Sequence, residues 1–219
     1  MKSFKFSLLT VAVAVFCSPA MAAHLDNPNL LTDPSFEGTL TFDGPPFVGT
    51  WEGFNAGVSS TSEFSTDMPR TGAQSLELNI GPDANLFAGA FQDANFGFGA
   101  AGAMAWFSGW HKLAAGDSGG SEIRIEWRDS VANTEISRTP NLAPVIGSTY
   151  EEFIVSATVP AGANSARVVY AIQSFGGALN QQVFVDDVNF NVQGVPEPAS
   201  LAIAGLCLVG LAIPSRRHR

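Results

Sequence analysis

The sequence predicts an all-β fold, a β-sandwich or jelly roll of about eight or nine short strands, and three observations predict it. Across 24–194 no stretch sustains a 3.6-residue apolar period, whereas two-residue alternation recurs. Clusters rich in Gly and Pro punctuate the alternating runs at short intervals. The same segment has no cysteine, because Cys17 and Cys207 lie outside it, so its core must form without disulfides. A length of roughly 170 residues suits one domain with a core of its own.

The elements follow in order. Residues 75–80 set Leu76, Leu78 and Ile80 against Glu77 and Asn79. Trp106 and Trp110 are four apart and therefore share one strand face with Ser108 and Lys112. In 121–128, Ile123, Ile125 and Trp127 alternate with Arg124, Glu126 and Arg128, which sends one face to a core and the other to water. That pattern places Trp127 inside. Residues 153–159, 167–173 and 183–192 are further β-rich runs. Between them Gly44-Pro45-Pro46, the 67–72 cluster, 116–120 and Pro160-Ala161-Gly162 read as turns.

Both flanks differ from this domain. Lys2 and Lys5 precede an apolar stretch at 8–16, and Ala20-Met21-Ala22 has the small-x-small pattern of a secretory cleavage site. Residues 1–22 are thus expected to be a signal peptide and 23–194 the β-sandwich domain. At 195–219 the chain reads Val195-Pro196-Glu197-Pro198, then an apolar run over 199–213, then Arg216-Arg217-His218-Arg219. The run has 15 residues against the ~20 that usually cross a hydrocarbon core. A short hydrophobic helix is expected there, with the arginines holding its end on the cytoplasmic side.

Charge and residue content exclude several function classes. Of 20 acidic residues 19 fall within 24–194, but only 6 of 11 basic ones do, giving the domain a net charge near −13. Nucleic acid and anionic lipid are poor partners for that surface; solubility outside the cell, cation binding and contact with neutral sugars all remain open. With one interior histidine, His111, and no cysteine, a transition-metal site is not expected. Glu151 and Glu152 are strand neighbours that face opposite ways, unlike a paired-carboxylate glycosidase site. Gly116-Asp117-Ser118-Gly119-Gly120 mimics the nucleophile segment of a serine hydrolase. Its context differs, since a nucleophile elbow opens into a helix whereas Gly120 opens into a strand. A hairpin loop with Asp117 accepting turn hydrogen bonds accounts for all five residues, leaving catalysis through Ser118 as a remote alternative.

The Pro196-Glu197-Pro198 motif, the apolar span and the Arg216, Arg217, Arg219 cluster resemble the PEP-CTERM sorting signal of Gram-negative surface proteins. That resemblance implies an exosortase-type processing enzyme as partner, transient anchoring in the inner membrane with the domain in the periplasm, and a final place at the cell surface or in the extracellular matrix. The domain itself resembles galactose-binding-like carbohydrate-binding modules. Asn29-Leu30-Leu31-Thr32-Asp33-Pro34-Ser35-Phe36-Glu37 is similar to their opening strand, and Trp51, the 71–78 phrase, Gln92, 108–112 and 159–162 follow in their order. Residues 183–190, with Asp186-Asp187, are similar to their closing strand. The resemblance implies a jelly roll whose first and last strands meet, often around a structural Ca²⁺, with Glu37 and Asp186 as its carboxylate ligands. On the last strand the alternation puts Phe184, Asp186, Val188 and Phe190 on one side and Asp187 on the other. Extracellular polysaccharide is the implied ligand. Of the large aromatics Trp51, Phe54, Trp106, Trp110, Trp127 and Tyr150, the pair Trp106 and Trp110 is the expected contact, because their face carries polar residues. The non-catalytic alternative is a structural or adhesive surface protein with no sugar site.

Overall fold

In a computed structural model residues 27–194, except Ala178, are described, so the expected signal peptide and sorting segment lie outside the described residues. The chain forms eleven strands: β1 (Leu40–Thr41), β2 (Trp51–Ala56), β3 (Ser60–Ser65), β4 (Ser75–Ile80), β5 (Phe87–Asn95), β6 (Met104–Gly116), β7 (Ser121–Asp129), β8 (Thr134–Arg138), β9 (Glu151–Thr158), β10 (Ser165–Gln173) and β11 (Gln181–Val192). They build a six-stranded sheet in the order β1-β2-β5-β10-β7-β8 and a five-stranded sheet in the order β3-β4-β11-β6-β9. Pairing is antiparallel apart from the two-residue β1, which runs parallel to β2.

The alternation seen in sequence becomes the core. Leu76, Leu78 and Ile80 of β4 and Phe107 of β6 meet Ile123, Ile125 and Trp127 of β7 and Val168, Tyr170 and Ile172 of β10. Burying such side chains between two sheets is the main favourable term in folding. The strand count exceeds the expected eight or nine because short strands with little or no apolar alternation are also present. All five residues of β8 are exposed, and β3 turns Ser60 and Ser62 inward.

The opening segment departs from expectation. Residues 29–37 form no strand, yet they lie along β11, where Leu30 N donates to Phe190 O at 2.8 Å and Val188 N to Pro34 O at 2.9 Å. Pro28 and Pro34 lack a donor, and Asp33 and Phe36 have φ of 53° and 57°, so a regular ladder is interrupted. On β11 the register against β6 shifts between Asp186 and Asn189, and Asp187 has φ 48°. This bulge splits the expected shared face. Val183 and Val185 point inward before it and Val188 and Phe190 after it, so Phe184 and Asp186 lie on the opposite, outer side of the sheet.

Candidate functional site

The opening segment, through Glu37, and the closing strand β11, through Asp186, both bond to one loop, residues 67–74. Asp186 is fully buried, and its Oδ2 accepts N–H bonds from Arg70 (2.7 Å) and Thr71 (3.1 Å) while Oδ1 accepts that of Asp187 (2.7 Å). Burial raises its carboxyl above the usual aspartate range, against the downward pull of those three N–H groups; the Asp187 charge adds to the rise. For Asp187 burial also pushes upward, but the Thr71 hydroxyl, the Arg70 guanidinium and the Ser35 hydroxyl together hold it below the usual range. Glu37 Oε1 accepts the N–H groups of Ala73 (2.8 Å) and Gln74 (3.2 Å). Gly72 is required between them: its φ is +64°, and a Cβ there would sit 1.9 Å from Glu37 Oε1. Tyr150 donates to Met68 O at 2.6 Å, its hydroxyl pushed up to about 12 by burial and then by the Asp186 charge.

Glu37 and Asp186 thus bond to the same loop, Asp186 at Arg70 and Thr71 and Glu37 at Ala73 and Gln74. Among the described residues no group of three or more His, Cys, Asp or Glu is arranged to hold a metal ion. A two-carboxylate set is nonetheless of the hard-oxygen kind that Ca²⁺ takes, with carbonyls or water for the remainder of the shell.

Trp106 and Trp110 lie half-buried on the outer face of the five-stranded sheet. Trp106 stands between Asn191 and Ser156 in register, and Trp110 between Asp186 and Glu152. One face of the Trp110 ring is taken by Arg70, whose guanidinium carbon is 3.9 Å from the ring centre. Trp51 is core, its ring against Phe36 and its Nε1 donating to Asp33 O at 2.9 Å. Trp127 is core as well.

The other sheet carries a constellation that sequence reasoning missed. On the outer face of β2, β5, β7 and β10 a hollow of about 220 Å³ is lined by Phe54, Phe91, Arg124, Glu126, Arg167 and Val169. Phe54 lies over Gly89, where a Cβ would come within 2.4 Å of its Cζ. The Phe54 ring centre is 6.0 Å from that of Phe87 and 6.2 Å from that of Phe91, so the rings form an aromatic row. Arg167 stacks on Phe91 at 3.8 Å and on Phe47 at 4.8 Å while holding Asp93 by two bonds of 2.7 and 2.9 Å. Arg124 donates to Glu126 at 2.8 Å, and Arg138 approaches the same carboxylate at 3.5 Å. Every guanidinium here is neutralised by a carboxylate. Rings beside fixed planar polar groups offer stacking surface together with donors and acceptors of set direction. Alternation did signal that Arg124 and Glu126 turn away from the core, although Glu126 is buried in the hollow instead of facing water, and Phe54, Phe91 and Arg167 are joined only by strand order.

Ser118 does not sit in the expected hairpin: its loop carries the chain from β6 of the five-stranded sheet across to β7 of the six-stranded sheet. Its carbonyl accepts Ile146 N at 3.0 Å, Asp117 Oδ2 accepts Asn180 N at 3.0 Å, and Gln181 Nε2 donates to the Asp117 and Gly119 carbonyls. His111 is 1% exposed between the sheets, with Nδ1 2.7 Å from the Tyr170 hydroxyl and Nε2 3.8 Å from Glu151 Oε1. Burial lowers its pKa to about 4, against the upward influence of Glu151. The imidazole is therefore a neutral core group at pH 7.

No family model matches the sequence, and no curated protein matches it. Solved structures share its fold. The enzymatically active domain of bacteriophage CBA120 tailspike protein 4 aligns with a TM-score of 0.56 at 17% identity, over 75% of this chain and 21% of that one. This chain therefore spans about a fifth of the tailspike chain. The CBM22-1 xylan-binding domain of Paenibacillus barcinonensis Xyn10C gives 0.52 at 16% identity, covering 77% of this chain and 97% of that one. A family 16 carbohydrate-binding module gives 0.50 at 15%, over 74% and 99%. The two-sheet jelly roll is common to all three.

Proposed function

We propose that the domain is a non-catalytic binder of extracellular polysaccharide and that the hollow on the six-stranded sheet is its sugar-contacting face. The row Phe54, Phe87, Phe91 beside Arg124, Glu126 and Arg167 carries this reading. Sugar rings present apolar C–H faces and equatorial hydroxyls, which such rings and paired charges match. That the same fold serves a xylan-binding domain supports the reading. In affinity electrophoresis against soluble polysaccharides, retention is expected for the wild type, with a loss of about tenfold or more in affinity for Phe54→Ala, a hot-spot-sized effect. Trp106→Ala and Trp110→Ala in the same gels test the opposite face, favoured by the polar neighbours Ser108, Ser156 and Asn191. Retention lost there and kept in Phe54→Ala moves the site across the sandwich. No retention on any polysaccharide by a folded domain leaves the structural or adhesive reading.

The sorting signal belongs to the same proposal: export through residues 1–22, transient anchoring in the inner membrane by 199–213, recognition of Pro196-Glu197-Pro198 by an exosortase-type processing enzyme, and a final place at the surface or in the matrix of a Gram-negative cell. So does a structural Ca²⁺ with Glu37 and Asp186 among its ligands, supported by both acids reaching the 67–74 loop. A chelator is expected to lower Tm, because an ion bound only by the native state stabilises it by mass action. Glu37→Ala should abolish that shift. A Tm indifferent to the chelator removes the ion and leaves the N–H contacts as the loop's tether.

A further inference from the structure

At the pole of the sandwich where the described residues end, the three connecting loops contain no charged residue. Three loops meet there: 96–103 between β5 and β6, 130–133 between β7 and β8, and 159–164 between β9 and β10. They are joined by Phe96 N to Asn164 O (3.1 Å), Gly102 N to Val159 O (2.9 Å) and Ser130 N to Asn164 Oδ1 (2.8 Å). None of their residues is Asp, Glu, Lys or Arg, in a domain whose net charge is near −13. The nearest acid, Asp129, is turned onto its own loop, accepting Val131 N and Ala132 N. The loops at the opposite pole, by contrast, contain Asp83 and Asp117.

Large apolar side chains stand out from this pole. Phe98 is 75% exposed and Val131 78% exposed. Phe98 sits in Phe96-Gly97-Phe98-Gly99-Ala100-Ala101-Gly102-Ala103, eight residues without a polar side chain. Single exposed hydrophobics are ordinary. Three adjoining loops without a charged residue, bearing two of them beside the chain's exit, are a patterned surface. Gln193 N donates to Met104 O at 2.7 Å, so the chain leaves next to the 96–103 loop. The apolar run at 199–213 begins after only four more residues, 195–198, which reach at most about 14 Å.

We propose that this pole is a lipid-contacting surface: while the 199–213 run is in the bilayer, the uncharged loops rest on it and Phe98 enters the interface. The inference rests on the anchoring reading above. The tether supplies the effective concentration, so no basic patch is required, and loops without a charged residue avoid the repulsion that the rest of this acidic domain meets at an anionic membrane. An aromatic ring at headgroup depth is a usual interfacial anchor.

Spin labels on the full chain in phosphatidylcholine nanodiscs test it. Cys207 of the apolar run carries one label; Phe98→Cys and, at the opposite pole, Val58→Cys carry the others, each in a Cys207→Ala background with Cys17→Ala wherever that residue is retained. The expected result is that Cys207 and position 98 collide preferentially with membrane-soluble oxygen, position 98 several-fold more than position 58, and that position 58 collides preferentially with an aqueous nickel chelate. A lipid-exposed Cys207 with equally aqueous labels at 98 and 58 overturns the inference and leaves the anchoring reading standing. An aqueous Cys207 overturns both. A label at 98 shielded from both reagents means that a protein covers the pole, which also overturns it.

Discussion

Acidification from pH 7 to pH 4 is expected to lower the domain's unfolding free energy by about 3 kcal/mol through His111 alone. Burial between the sheets holds its folded pKa near 4, against 6.5 for an unperturbed imidazole. The unfolded chain therefore takes up a proton below pH 6.5 that the folded chain refuses. Stability falls through that window and His111 contributes no further change once the pH is well below 4, where both states are charged. The neutral ring suits its site, because Nδ1 meets the Tyr170 hydroxyl 2.7 Å away and burial pushes that phenol well above its ordinary range. Urea unfolding of the wild type and His111→Gln across this range checks the claim. The wild type should lose about 3 kcal/mol more than the variant, whereas parallel curves would show that the imidazole takes up its proton in the fold as readily as in the unfolded chain.

Asp186→Ala is expected to cost about 3 kcal/mol, since it removes a buried charged acceptor that three N–H groups, those of Arg70, Thr71 and Asp187, share. Asp186→Asn keeps one acceptor and should recover part of the loss. Amide hydrogen exchange would rise first in the 67–74 loop, which these bonds and those to Glu37 hold down. An Asp186→Ala variant within about 0.5 kcal/mol of the wild type in denaturant would refute this account.

The sequence made the fold legible wherever an apolar set alternated with a polar one. Ile123, Ile125 and Trp127 are core as their spacing indicated, and so are Leu76, Leu78 and Ile80. What stayed hidden was set by backbone geometry or by tertiary order. The face of Asp186 was misassigned because one extra residue, with Asp187 at positive φ, reverses the alternation within β11. The two tryptophans of β6 were legible as a shared outward face, but not the Arg70 guanidinium that lies over Trp110. The hollow on the six-stranded sheet draws on residues from 54 to 169, assembled by the order β2-β5-β10-β7, which no local pattern encodes.

The position of β11 has a mechanical consequence. It lies in the middle of its sheet, bonded to β4 on one side and β6 on the other, and the opening segment runs along it as well. Tension entering through Gly194 pulls this strand along its own length. The two ladders are then sheared, so that many bonds share the load at once, where an edge strand would be peeled away one bond after another. A pull on the domain from its C-terminal side would thus be borne by a central strand in shear.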